Sequence, residues 1–262
     1  MATTWIIQAV TERSSESLAA LRDAILDLGL PLFEVRVIPF SGKLPEMPEQ
    51  VDRPFLLYGY NTLIQSTYRH EKWQHGLFYD EHSFTTATYT QALGDQMLNH
   101  DSQVLTCKEL FESDLNATDR FFLRPNDDSK LFTGQVMSFR DYWRWYEKLD
   151  DPENIELKQD TLVVCSKPKT ILAEYRTFIL EGKVLGSSQY LPNIAQFTQP
   201  EVISFAEHIA GQNSPAAAFV CDIARTDDGL KVIEFNCING SGFYKADVRQ
   251  VVSALSRWQE LH

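Results

Sequence analysis

The stretch FVCDIARTDDGLKVIEFNCINGSGFY, residues 219–244, decides how this chain folds. Two apolar runs flank the sequence TDDG, and this arrangement predicts a β-hairpin. We expect a three-residue loop of Asp227, Asp228 and Gly229, with Gly229 in the left-handed backbone region. The loop length matters because a two-residue loop would shift the strands by one residue and change which side chains share a face.

The register that follows from this loop brings acidic side chains together. Thr226 lies opposite Leu230, and so Asp222 lies opposite Glu234, with Cβ atoms about 5 Å apart on one face. Asn236 joins them because strand side chains alternate between the two faces. Close carboxylates repel each other unless a cation lies between them, and oxygen ligands favour Mg²⁺. The hairpin alone leaves open that these are ordinary side chains of a solvated sheet face.

Two earlier segments are also predicted to form hairpins, and both carry cations. FFLRPNDDSKLFTGQV places Arg124 and Lys130 around a tight loop, and AEYRTFILEGKVLGSSQY places Glu174 and Arg176 on one strand face. Arginine and lysine both suit phosphate oxygens, so a metal with three cations favours a polyphosphate ligand. Taken singly, each of these residues is better explained as a surface charge.

The first third of the chain alternates short apolar runs with amphipathic stretches. TWIIQAV is followed by Leu18, Leu21 and Ile25 at helical spacing. Such alternation predicts a parallel sheet, which binds ligands at the carboxyl ends of its strands. The turns YGYN and FYDE would then line a cleft, although Gly59, Asn61 and Asp80 are better explained as ordinary turn residues.

Composition limits the class of protein. The chain has 262 residues, 44% of them hydrophobic, and a formal charge of -12. No apolar run approaches the length of about 18 residues that a membrane-spanning helix needs, so we expect a soluble, cytoplasmic protein. The acidic balance argues against nucleic acid and acidic membranes as partners. Four widely spaced cysteines without a C-x-x-C pair are expected to be reduced structural thiols.

In this order, the three hairpin segments resemble the ATP-grasp superfamily, specifically its small two-arginine, one-lysine clade. The resemblance covers roughly the last 150 residues, and the first third resembles the Rossmann-like α/β domain that precedes the grasp in such proteins. Near residue 112 the predicted pattern changes from alternating strands and helices to paired strands joined by short turns. We therefore expect a parallel-sheet α/β domain over residues 1–115, then an ATP-grasp domain of antiparallel sheets with flanking helices over residues 116–262.

The resemblance assigns roles to the polar residues. It implies that Asp222, Glu234 and Asn236 bind the magnesium ions that bridge the ATP phosphates. The matching phosphate-contacting residues are Arg124 and Lys130, followed by Arg176 as the second arginine; Arg176 and Lys130 would be catalytic. The remaining predicted nucleotide contacts are Glu174 and the adenine-lining backbone of Val164, Cys165 and Ser166.

The loop INGSGFY is predicted to contact the substrate through Asn239 and Ser241, although Ser241 is equally typical of a turn or helix cap. The pattern departs from relatives in three ways. Arg124 replaces the usual lysine, the lid loop has only Gly134 as glycine, and Val220 replaces an arginine that is common in amino-acid ligases. The last departure concerns the acyl-substrate pocket, whereas the resemblance implies an intact nucleotide site.

The function implied by the resemblance is an ATP-dependent, ADP-forming carboxylate–amine ligase with an acyl-phosphate intermediate. Its cofactors would be ATP and Mg²⁺, and its partners a small-molecule or peptide carboxylate and an amine nucleophile. The alternative is a non-catalytic ATP-binding module that retains the nucleotide site. A dehydrogenase is disfavoured because the first strand is not followed by G-x-G-x-x-G.

Overall fold

The computed structural model of the protein describes residues 1–11, 16–39, 41–128, 131–149, 157–195 and 199–262. Its strands are β1 (Thr4–Gln8), β2 (Leu32–Val35), β3 (Phe55–Tyr58), β4 (Gln103–Thr106), β5 (Arg120–Pro125), β6 (Gln135–Ser138), β7 (Leu162–Ser166), β8 (Ala173–Leu180), β9 (Lys183–Leu191), β10 (Ala218–Thr226) and β11 (Gly229–Asn236). Its α-helices are α1 (Glu16–Asp27), α2 (Asn61–Tyr68), α3 (Thr86–Leu93), α4 (Cys107–Phe111), α5 (Phe139–Tyr146), α6 (Pro200–Gln212) and α7 (Val248–Leu261). Short 3₁₀ helices cover Trp73–Gly76, Gly94–Gln96 and Ile238–Gly240.

The chain forms two compact units. The first unit combines residues 1–80 with residues 172–262, and the second comprises residues 81–171. This division differs from the domain boundary near residue 115, which stays a prediction. Among the described residues, the longest helix is α7 with 14 residues, and no helix there is long and apolar enough to cross a membrane.

The first unit contains the parallel sheet predicted for the first third of the chain. Its strand order is β2-β1-β3, and both pairings of β1 are parallel. The central residues of β1, Trp5, Ile6 and Ile7, are all buried, as expected for a strand covered on both faces. Helix α1 buries Leu18 and Leu21 together with Ile25, which confirms the predicted apolar face.

The first unit also contains a four-stranded antiparallel sheet of order β11-β10-β8-β9. Phe178 of β8 and Val220 of β10 belong to the same hydrophobic core as Trp5 and Val251, so this face of the sheet packs towards β1 and α7. Two residues further along each strand, the same face carries polar residues instead, namely Arg176 on β8 and Asp222 on β10. The candidate site lies there.

The second unit has a sheet of order β4-β7-β5-β6, in which every neighbouring pair is antiparallel. Its core includes Leu123 of β5, Tyr142 of α5 and Val163 of β7. The predicted hairpin of β5 and β6 is confirmed. Gly134 precedes β6, where a Cβ atom would lie 2.8 Å from the ring of Phe122, so a larger residue would displace that ring.

The four cysteines are free. Cys107, Cys221 and Cys237 are buried. Burial raises the pKa of Cys107 to about 11 and that of Cys165 to about 11. Protonated thiols in these positions are poor nucleophiles and poor metal ligands, as expected for structural cysteines.

Candidate functional site

The turn between β10 and β11 differs from the predicted one. Thr226 pairs with Gly229 rather than with Leu230, so the loop has two residues, Asp227 and Asp228. Gly229 has a φ of +104°, so the expected positive φ is present although the loop is shorter. The prediction of a three-residue loop was wrong.

The predicted pairing of Asp222 with Glu234 is nevertheless present, because a β-bulge restores the register. Ile223 pairs with Val232, and Asp222 pairs with Glu234, so Ile233 is an extra residue on β11. The bulge forms because Val232 and Phe235 are both buried in the core, where they are 0% and 1% exposed. Regular alternation would point these two residues to opposite faces, whereas the bulge buries both on the face away from Asp222.

The cluster of Asp222, Glu234 and Asn236 forms as the sequence predicts. The Asn236 amide Nδ2 donates to Asp222 Oδ2 at 3.2 Å and to Glu234 Oε1 at 3.1 Å. Asp222 and Asn236 are each 1% exposed, and Glu234 is half-buried. Two carboxylates and one amide therefore converge on one point at the edge of the hydrophobic core.

Arg176 lies beside this cluster because β8 is the other neighbour of β10, where Arg176 pairs with Asp222. Its Nε and Nη2 donate to the two oxygens of Asp222 at 2.8 and 2.6 Å, and Nη1 donates to the carbonyl of Gly242 at 3.2 Å. Although burial lowers the pKa of Arg176, the Asp222 carboxylate outweighs this effect and raises it overall. These contacts use three of the five N–H donors of the guanidinium, so Arg176 holds Asp222 in a fixed orientation.

Glu174 lies two residues before Arg176 on the same face of β8. Burial raises the pKa of Glu174, a hydrogen bond from Tyr190 opposes that rise, and the carboxylates of Asp222 and Glu234 add to it. The Tyr190 hydroxyl is itself buried, and burial with the nearby carboxylates raises its pKa. Tyr190 therefore serves as a neutral donor that holds the Glu174 carboxylate in place.

Two tyrosines that the sequence did not single out complete this side of the site. The rings of Tyr190 and Tyr244 stack 4.8 Å apart at an interplanar angle of 8°. The guanidinium carbon of Arg176 lies 5.8 Å from the first ring centroid and 5.1 Å from the second, within the range of a cation–π interaction. Tyr244 has a φ of +52°, an uncommon value for a residue other than glycine, which the stack helps to maintain.

Asn239 and Ser241, the predicted substrate contacts, form hydrogen bonds with backbone groups that fix the loop after β11. Asn239 is 4% exposed, and its Nδ2 donates to the carbonyls of Leu57 at 2.7 Å and Gly76 at 3.1 Å, while its Oδ1 accepts from the amide of Phe78 at 2.8 Å. Ser241 is 0% exposed and donates to the carbonyl of Cys237. Both side chains bond to backbone groups, and their contact with a substrate stays a prediction.

The turn at Gly59 is filled by this loop. Its amide donates to the carbonyl of Asn239 at 2.9 Å. A Cβ atom on Gly240 would lie 2.7 Å from Ile64 and 3.0 Å from the carbonyl of Gly59. Both glycines are therefore needed for close backbone approach, and the predicted cleft at this turn stays a prediction.

The remaining predicted nucleotide contacts lie in the second unit. Arg124 is 8% exposed on β5, and its Nε donates to the carbonyl of Pro125 at 3.3 Å. Lys130 lies outside the described residues. Val164 and Cys165 pair with residues of both β4 and β5, so β7 is an interior strand, and Ser166 pairs with β5 and donates to Asn99 at 3.1 Å.

Comparisons with known proteins agree with this architecture. The profile of an ATP-grasp domain family, family 3 of the two-arginine, one-lysine clade, matches residues 46–259. A comparison with curated protein sequences found no match.

Several solved structures have the same fold. The ATP-grasp ligase PsnB in complex with a minimal precursor is 13% identical, with a TM-score of 0.56 over 97% of this chain and 99% of that chain. A RimK domain protein ATP-grasp from Sphaerobacter thermophilus DSM 20745 is 15% identical, with a TM-score of 0.59 over 99% and 96% of the two chains. The D-alanine–D-alanine ligase of Bacillus anthracis is 11% identical, with a TM-score of 0.57 over 100% and 98%. The predicted fold class is thereby confirmed.

Proposed function

We propose that this chain, which belongs to family 3 of the two-arginine, one-lysine clade of ATP-grasp domains, is an ATP-dependent carboxylate–amine ligase. The observation that carries the proposal is the cluster of Asp222, Glu234 and Asn236 beside Arg176 on one sheet face. Proteins of the same fold support it: PsnB has a structure with Mg and ADP, and the Bacillus anthracis ligase has one with ATP.

The donor set fits a magnesium ion. A single atom, Asn236 Nδ2, lies within 3.2 Å of an oxygen of each carboxylate, so both carboxylates already point to one place. Turning the Asn236 amide over would present its oxygen there instead, and three oxygen ligands with water or phosphate suit Mg²⁺. Asp222, Glu234 and Asn236 would hold the ion, which would neutralise negative charge on the phosphate oxygens.

The proposed reaction has two steps. An oxygen of the substrate carboxylate attacks the γ-phosphorus of ATP, the bond to the bridging oxygen of the β-phosphate breaks, and ADP leaves with that electron pair. The amine then attacks the carbonyl carbon of the acyl phosphate, inorganic phosphate departs, and the nitrogen loses a proton to give the amide. Charge spreads over phosphoryl oxygens during transfer, so cations at fixed positions supply most of the catalysis. Arg176 and Lys130 are the proposed cations.

Further contacts with the nucleotide are assigned to residues outside the acidic cluster. We assign phosphate contacts to Arg124 and Lys130 and a nucleotide contact to Glu174. Because β7 is paired on both sides through Cys165, the backbone groups most available to adenine begin at Ser166. Val164 and Cys165 would then line the pocket from within the sheet.

The relatives and the charge of the chain support a proposal for the substrate class. PsnB is complexed with precursor peptides, and another neighbour is the D-cycloserine synthetase DcsG, so the fold serves both peptide and small-molecule chemistry. We propose a small polar or peptide carboxylate and an amine nucleophile. A net charge of -12 fits neither nucleic acid nor an acidic membrane as partner.

Capture of the intermediate by hydroxylamine tests the proposal. With Mg²⁺, ATP and a pool of amino acids, short peptides and other acids, the protein should release ADP and phosphate and form a hydroxamate. Asp222→Asn should abolish turnover, whereas Asp228→Asn, in the exposed turn of the same hairpin, should not change it.

Two results would contradict the proposal. Release of AMP and pyrophosphate would mean adenylation of the acid rather than an acyl phosphate. Magnesium-dependent ATP binding without hydroxamate from any acid would favour the alternative, a non-catalytic ATP-binding module.

A further inference from the structure

The β-bulge at Ile233 changes the face on which Lys231 lies. Lys231 and Glu234 are three residues apart, so an unbroken strand would point them to opposite faces of the sheet. With the extra residue, Lys231 pairs with Ala224 and Glu234 pairs with Asp222. Ala224 and Asp222 share a face of β10, so Lys231 lies on the face that carries the acidic cluster.

On this face, Lys231 and Glu174 lie on opposite sides of β10. Ala224 separates them, because Ala224 pairs with Lys231 on one side and with Glu174 on the other. Adjacent strands lie about 4.8 Å apart, so the backbones at Lys231 and Glu174 are separated by about 10 Å. The long aliphatic stem of a lysine can span about 6 Å, which is more than half of this separation. The half-buried Lys231 is therefore close enough to the acidic cluster to act on a ligand bound there.

The charge on this face favours a second cation for an anionic ligand. The carboxylates of Glu174, Asp222 and Glu234 lie on the same face, and Arg176 forms a bidentate ion pair with Asp222. With one Mg²⁺ bound, the metal and Arg176 together balance the three carboxylates, so the negative charge of a phosphate chain still requires further cations. The ammonium group of Lys231, one residue pair closer to the hairpin turn on this face, would supply one of these cations.

We propose that Lys231 binds the phosphate chain of the nucleotide, as a cation on the same sheet face as Arg176. This inference rests on the proposed function, since it requires ATP at the cluster. The competing explanation is a purely structural lysine that balances the carboxylates in the absence of nucleotide. The two explanations differ in what they predict for ligands with and without phosphate.

The test measures dissociation constants of ATP with Mg²⁺ by calorimetry and of adenosine by competition. Lys231→Met should weaken ATP binding about tenfold or more, as expected for loss of a charged hydrogen bond, and leave adenosine unchanged. Lys231→Arg keeps the charge and should retain binding within about threefold. The matched control is Lys183→Met on β9 of the same sheet, where a lysine that is 75% exposed contacts Glu207; it should bind ATP like the wild type.

Three other outcomes would contradict the proposal for Lys231. If the wild type binds Mg²⁺ATP but Lys231→Met binds it within twofold, Lys231 is not a phosphate ligand. An equal loss for adenosine and ATP would assign Lys231 a structural role. If the wild type itself shows no magnesium-dependent ATP binding, the proposed function fails, and this inference fails with it. Melting curves of all variants verify that each is folded.

Discussion

Replacement of Arg176 by methionine should destabilise the protein strongly in the absence of nucleotide and metal. The change keeps most of the aliphatic stem and removes the guanidinium that pairs with both oxygens of Asp222 at 2.8 and 2.6 Å. Asp222 is 1% exposed and Arg176 is 11% exposed, so water can compensate little for the lost cation.

The magnitude follows from this burial. Removing one partner of a buried ion pair costs about 3–5 kcal/mol, because the remaining charge is left without compensation. The Asn236 amide continues to donate to Asp222, so we expect a loss near the lower end, about 3 kcal/mol. The exposed pair of Lys183 and Glu207 provides the control, and Lys183→Met should cost less than about 1 kcal/mol.

Urea unfolding followed by circular dichroism, in EDTA at neutral pH, measures these changes in the free energy of unfolding. A double-mutant cycle with Asp222→Asn isolates the pair itself. The double variant should be more stable than the sum of the two single losses predicts, by about 1–3 kcal/mol, because neutral asparagine no longer needs the cation. Additive losses, or an Arg176→Met variant as stable as the Lys183→Met control, would refute this account of the pair.

Two further predictions concern other parts of the first unit. Burial raises the pKa of Glu174, so its contribution to stability is full below its unfolded pKa and is lost as the pH rises through its folded pKa. Glu174→Gln should therefore gain stability relative to wild type in melting curves as the pH rises above about 4, the unfolded pKa of glutamate, and a constant difference would contradict the assignment. Gly240→Ala should lower the free energy of unfolding by about 1–3 kcal/mol, because its Cβ would lie 2.7 Å from Ile64. Gly211→Ala, where nothing lies within 4 Å of the added atom, should be neutral or stabilising by up to about 1 kcal/mol; equal effects at the two glycines would show that packing is not the cause.

Much of the fold and of the acidic cluster could be predicted from sequence, because those features depend on local pattern. The hairpin segments were recognisable from apolar runs around turn residues, and the parallel sheet from alternation of strand and helix patterns. The grouping of Asp222, Glu234 and Asn236 needed only the alternation of side chains along paired strands. Their pairing was predicted correctly, although through a loop that proved one residue shorter.

The tertiary structure decided what pattern alone could not. The bulge at Ile233 forms because Val232 and Phe235 are both buried against the same side of the sheet, and only the complete core fixes which residues need that side. That bulge, in turn, places Lys231 on the face of the acidic cluster. Arg176 pairs with Asp222 because β8 lies next to β10, a strand order that the sequence does not encode locally.

The loop after β11 shows the same limit. The sequence indicates that Asn239 and Ser241 are polar residues next to the predicted metal ligands, and this position predicts a substrate contact, which stays a prediction. The structure brings Asn239 to Leu57 and Gly76, which are 182 and 163 residues away in the chain. Whether a polar side chain binds a substrate or satisfies buried backbone carbonyls depends on such distant partners. The sequence by itself therefore determined which polar residues lie near the predicted metal ligands. Tertiary packing determined the partner of each buried polar group, because buried hydrogen-bonding groups must be paired wherever the fold places them.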